Sequence, residues 1–116
     1  MPEFHKIASA EEVPLGGIKQ FTVEDRPVAL CNVSGEFHAF EDICTHQFAH
    51  LSEGEFDGTR VKCPLHGAAF DVVTGEAKSL PAVKPVPKHE VKVEGGNVYV
   101  ALNPKRVKTA KRRRRG

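Results

Sequence analysis

The stretch Val91-Lys92-Val93-Glu94-Gly95-Gly96-Asn97-Val98-Tyr99-Val100 decides the fold class. Val91 and Val93 alternate with charged residues, and Val98 and Val100 alternate back. A period of two marks a half-buried strand. Gly95-Gly96 between the two runs can take the left-handed backbone that a two-residue hairpin turn requires. Working outward, the same grammar recurs upstream. Phe4-His5-Lys6-Ile7 reads as a first strand. Ser9-Ala10-Glu11-Glu12 has the form of a capping box, with Ser9 as N-cap, and Pro14 limits any helix there to one turn. Gly16-Gly17 releases a strand over residues 18–23. Glu24-Asp25-Arg26-Pro27 reads as a turn, residues 28–33 as the next strand, and Ser34-Gly35 as a turn into residues 36–40. Short Val-, Phe- and Ile-rich segments between turn residues predict an all-β chain, an antiparallel β sandwich or barrel.

Between Asp42 and Gly67 that alternation fails, and the segment reads as non-strand. Residues 70–73 are expected to form a short strand ended by Thr74-Gly75. Residues 80–88 contain Pro81, Pro85 and Pro87, which predicts a stiff extended loop. No long 3.6-residue period and no internal repeat is present. A length of 116 residues, with 40% apolar and 28% charged residues, suits one soluble domain. No run approaches the roughly 20 apolar residues of a membrane span. Met1-Pro2-Glu3-Phe4-His5-Lys6 lacks an apolar h-region, so the expected location is the cytoplasm.

The formal net charge of +2 hides an asymmetry. Residues 105–116 carry +8 and no acid, leaving −6 on residues 1–104. The expectation is an acidic domain over residues 1–103 and a basic, disordered tail over 104–116, with no specific nucleic-acid or membrane partner.

Three cysteines make a disulfide framework a poor reading. Cys31 falls in an expected strand and reads as core. The other two belong to mirrored motifs, Cys44-Thr45-His46 and Cys63-Pro64-Leu65-His66, with sixteen residues between His46 and Cys63. Two thiolates and two imidazoles suit zinc or an iron–sulfur cluster, not calcium or magnesium. A zinc finger pairs like ligands at short spacing, whereas here each motif pairs a cysteine with a histidine. That arrangement has a natural meaning at two irons, one bound by Cys44 and Cys63 and the other by His46 and His66. A structural zinc module remains an alternative.

These residues, with Leu51-Ser52-Glu53-Gly54, Phe70-Asp71, Thr74-Gly75-Glu76 and the proline loop, resemble the Rieske iron–sulfur family from about residue 4 to residue 102. The resemblance implies one Rieske-type 2Fe–2S cluster held by Cys44, His46, Cys63 and His66. It implies an all-β fold with a small cluster-binding subdomain of loops, at about 43–67 and 80–88. Leu65 and Pro81 would shield the cluster. Respiratory members carry a disulfide between the ligand loops; the matching positions here are Ala49 and Leu65. High-potential members place Ser and Tyr hydroxyls by the cluster, where this chain has Ala68 and Phe70. Both departures point to a low potential and to similarity with the ferredoxins of bacterial ring-hydroxylating dioxygenases. The implied function is a monomeric one-electron carrier, not itself an enzyme, between a flavin-dependent reductase and a terminal oxygenase. A small Rieske subunit of a nitrite-reductase-like complex is the second option.

Overall fold

A computed structural model describes residues 3–43, 49–64, 67–78 and 85–104. Among the described residues nine strands follow one another: β1 (Phe4–Ser9), β2 (Ile18–Val23), β3 (Arg26–Val33), β4 (Glu36–Glu41), β5 (Glu55–Phe56), β6 (Arg60–Lys62), β7 (Ala69–Asp71), β8 (Lys88–Glu94) and β9 (Asn97–Ala101). Two short 3-10 helices, Ala10–Glu12 and Leu51–Glu53, interrupt them. In the first, the Ser9 N–H donates to Glu12 Oε2 at 3.0 Å, the back-bond of the expected capping box.

Six strands form an antiparallel sheet in the order β1-β9-β8-β4-β3-β2. It curls until its two edges approach each other. His5 of β1 and Glu24, beyond β2, pair at 3.1 Å across that seam. The waist of the sheet is narrow, because β4 meets β8 through only Ala39↔His89 and Phe40↔Lys88. A second, three-stranded sheet has the order β5-β6-β7.

β3 sits between the two cores. Val28 and Leu30 join Ala8, Val13, Val23, Ala39, Val98 and Val100 inside the curled sheet. Ala29 and Cys31, on the other face, join Phe40, Leu51, Val61, Phe70, Val72 and Val86 under the small sheet. Cys31 is fully buried, as expected, and its Sγ lies 3.6 Å from the His38 carbonyl. Burial pushes its thiol up to about 12.

Two readings need correction. The expected four-residue turn at 24–27 is a two-residue turn: Glu24 and Asp25 both adopt positive φ, 50° and 64°. This is the backbone that matches strand twist, so Arg26 and Pro27 already belong to β3. The segment between Asp42 and Gly67 is also not strand-free, because it contains β5 and β6. Their hairpin closes at Asp57-Gly58, where Asp57 Oδ1 accepts from the N–H groups of Thr59 and Arg60 at 3.0 and 2.8 Å. Gly58 has a φ of +103° there.

Candidate metal centre

Of the four expected ligands, Cys63 lies among the described residues; Cys44, His46 and His66 lie outside them, as do Leu65 and Pro81. Cys63 follows β6 immediately, and its residue is buried. Its N–H donates to the Ala68 carbonyl at 2.7 Å, and the Gly67 N–H donates to the Cys63 carbonyl at 3.0 Å. These two bonds close a tight loop whose ends are fixed by β6 and β7. Gly67, at φ +75°, takes the left-handed turn out of it. Ala68 and Phe70, expected beside the centre, are both fully buried.

The described residues that flank the other expected ligand segment are tied to one another. At its start stands Asp42, which is fully buried. Asp42 Oδ1 accepts from the Ser52 N–H at 2.7 Å, and Oδ2 accepts from the Gln20 amide at 2.7 Å and from the Ser52 hydroxyl. The Asp42 N–H donates to the Pro27 carbonyl at 2.9 Å. His50 Nδ1 donates to the Asp42 carbonyl at 3.0 Å, so this histidine is part of the closure. Asp42 itself carried no motif. Its partners stand 22 and 10 residues away in the chain, at separations that no local pattern reports.

The two segments are then pressed together at Gly54. A Cβ on Gly54 would fall 1.7 Å from the Lys62 carbonyl oxygen and 3.2 Å from Pro64 Cδ. Only glycine lets the exit of the first segment lie against the residues flanking Cys63. The pairing Glu55↔Lys62 continues that contact.

At the waist, Arg26 donates to Glu41 Oε1 from Nη2 at 2.8 Å and from Nε at 3.2 Å. The Asn103 N–H donates to His89 Nδ1 at 2.9 Å, which leaves the ring proton of neutral His89 on Nε2. That atom faces Glu41 Oε1 at 3.3 Å, off the axis of a hydrogen bond. Burial opposes the charge of Glu41, yet His89 and Arg26 outweigh it and hold the carboxyl below its ordinary value.

The Rieske [2Fe-2S] domain model matches residues 3–90. The chain belongs to the Rieske [2Fe-2S] family. Ferredoxin CarAc of Metapseudomonas resinovorans is 43% identical over 83% of this chain and 91% of its own length. The ferredoxin component of biphenyl 2,3-dioxygenase from Rhodococcus jostii (strain RHA1) is 43% identical over 84% of this chain and 91% of its own. Among solved structures, the ferredoxin of carbazole 1,9a-dioxygenase from Nocardioides aromaticivorans IC177 superposes with a TM-score of 0.83. It is 30% identical and covers 86% of this chain and 98% of its own. A chain in a complex of reduced oxygenase and oxidized ferredoxin in carbazole 1,9a-dioxygenase gives 0.80 at 42% identity, over 84% and 92%.

As a Rieske member the chain carries a 2Fe–2S cluster and serves electron transfer, which removes the zinc module. The described frame fits such a group. A buried cysteine stands at the mouth of a fixed loop, and Gly54 lets the chain beyond the other expected ligand segment lie against the residues flanking it. Two thiolates and two imidazoles are the donor set that a Rieske centre takes. No helix among the described residues is long and apolar enough to cross a membrane.

Proposed function

We propose that this chain is the ferredoxin component of a multicomponent Rieske oxygenase system, passing single electrons from a flavin-dependent reductase to a terminal oxygenase. The match along about nine-tenths of relatives named as ferredoxin components carries this reading. Cys44 and Cys63 would hold one iron, and His46 and His66 the other. The cluster would accept and release one electron at low potential.

The chain's own residues do the rest. The Cys63–Ala68 and Gly67–Cys63 bonds orient the second ligand loop. Asp42, Ser52 and His50 fix the first. Ala68 and Phe70 bring carbon, not hydroxyl, to the buried region behind Cys63. The working domain is residues 1–103, with 104–116 as a basic extension, and the carrier acts as a cytoplasmic monomer.

The test is reconstitution. The purified, reduced protein is mixed anaerobically with a terminal oxygenase of an aromatic dioxygenase system, and oxidation is followed by absorbance. Second-order oxidation, suppressed by salt, is expected. A loaded protein that neither takes electrons from a flavin reductase nor yields them to any such oxygenase overturns the reading.

A further inference from the structure

A second polar cluster, away from the ligand segments, joins the small sheet to the large one. Lys88, at the start of β8, donates from Nζ to His38 Nδ1 on β4 at 2.9 Å and to the Val73 carbonyl beyond β7 at 2.8 Å. His38 Nε2 lies 3.1 Å from Glu36 Oε1. An ammonium has only protons to give, so Nδ1 accepts, and the ring proton sits on Nε2, where it donates to Glu36. His38 is neutral in this arrangement, and both of its nitrogens are engaged.

Val73 belongs to the turn that follows β7. Asp71 Oδ1 accepts from the Val73 and Thr74 N–H groups at 2.8 and 3.2 Å. Gly75 packs this turn onto the approach to β8, where a Cβ would fall 2.7 Å from the Val86 carbonyl oxygen and 3.0 Å from Lys88 Cγ. The Val86 N–H donates to the Gly75 carbonyl at 2.8 Å. Residues 71–76 thus rest on the stem of Lys88, and its head ties them to β4.

A proton on Nδ1 undoes that tie. It sets an N–H against an ammonium and brings two like charges to hydrogen-bond distance. Glu36 still faces the imidazolium through Nε2, so the long Lys88 side chain is the partner that leaves. The neighbours among the described residues leave this choice in place. Cys31 stands opposite His38 on β3, with its Sγ on the His38 carbonyl, and burial keeps its thiol protonated. Burial disfavours the Lys88 charge, whereas Glu36 and Asp71 favour it. His89 and Lys92 line the same hollow between β4 and β8. We propose that His38 and Lys88 form a proton-operated latch between the two sheets, closed while His38 is neutral and open once it takes a proton. The latch needs neither the cluster nor a redox partner.

The experiment is hydrogen exchange read by mass spectrometry on the loaded full chain, as protection factors corrected for intrinsic exchange. It compares about pH 7.5 with about pH 5, which spans the ordinary histidine range and stays above that of carboxylates. Wild-type protection of residues 71–78 should fall about tenfold at the lower pH, the scale of one hydrogen bond from a charged donor, while β3 keeps its own. His38→Gln supplies an acceptor that does not titrate, so its protection should hold at both. Lys88→Met keeps the stem and loses the head, so the turn should exchange at the faster rate at both. Wild-type protection that does not change with pH overturns the proposal. So does a His38→Gln variant that keeps the full fall, as it would if His38 were merely structural. Should His38→Gln fail to fold, a Lys88→Met variant that retains the fall overturns it alone.

Discussion

The six-stranded sheet and the small sheet solve the problem of stability differently. In the first, β3 pairs with β2 over six positions and with β4 over six. Its interior is filled by side chains such as Leu30, Val98 and Val100. In the second, β5 contributes two residues and β6 and β7 three each. So few ladder bonds do not make a sheet stable in water. The small sheet leans on the outer face of β3 and, in this reading, on the metal that its loops grip. One region is held by periodic burial, the other by specific polar ties and a cofactor.

The sharpest way to break this comparison is to remove a ligand. Cys63→Ser or His66→Ala should abolish the rhombic electron paramagnetic resonance signal and the red-brown colour. The far-UV circular dichroism of the large sheet should largely survive. Hydrogen exchange should quicken in residues 49–78 and stay slow in β3, β4 and β9. Equal loss of protection in both regions would show that they are one cooperative unit.

The waist comes next. Arg26→Met leaves Glu41 buried without its cation, and breaking such a pair costs about 3–5 kcal/mol. Urea denaturation should report that loss. Glu41 titrates below its ordinary 4.5 in the folded chain. Its stabilisation is therefore present above that value and is lost as pH falls through the folded one. Acid unfolding of Arg26→Met should be correspondingly shallower over that window.

Cys31 sharpens the contrast between core and ligand thiols. Its value rises from 9.0 to about 12 on folding, so its contribution is whole below pH 9.0 and is lost as pH climbs through about 12. Three units correspond to about 4 kcal/mol. Cys31→Ala should flatten alkaline unfolding, and native Cys31 should resist alkylation at pH 8.

Smaller again is the effect of the absent hydroxyls. A donor to a charged group is worth about 1.5–3 kcal/mol, and only part of it differs between redox states. The Ala68→Ser, Phe70→Tyr double variant should raise the midpoint by on the order of 100 mV. The wild-type midpoint should lie in the lower part of the Rieske span of roughly −150 to +300 mV. Truncation after Pro104 should do least: unchanged cluster content and thermal stability, with a modest effect on partner docking that disappears as salt shortens the Debye length to about 8 Å.

The same contrast explains what was legible in the sequence. The β8–β9 hairpin could be read because valines alternate with other residues along it and Gly95-Gly96 marks its turn, and β2 because Gly16-Gly17 releases a run with Ile18, Phe21 and Val23. Cys44, His46, Cys63 and His66 stood out because each motif places unlike soft ligands close together. β5 and β6 were missed because two or three residues cannot display a period, although Asp57-Gly58 is a hairpin signal in its own right. Asp42, Gln20 and Glu41 were missed for a different reason. Their meaning lies in partners brought together by the fold, and a buried carboxylate looks like any surface acid until its burial is known.

The pairing of β1 with β9 also bears on engineering. Phe4 and Ala101 are register partners, so the two ends of the folded body lie about 5 Å apart across one ladder. Ala101 also faces Glu90 on β8, and Asn103 bonds to His89 and to the Lys88 carbonyl. Phe40 and Glu41, from which the first ligand segment departs, stand at the same end of the sheet. A protein fused after residue 104 is therefore delivered to the end of the sheet from which the expected ligand segment departs, where a short linker gives a high effective concentration. The Ser34-Gly35 and Gly95-Gly96 turns lie at the opposite end, and a cargo inserted there would sit away from that segment.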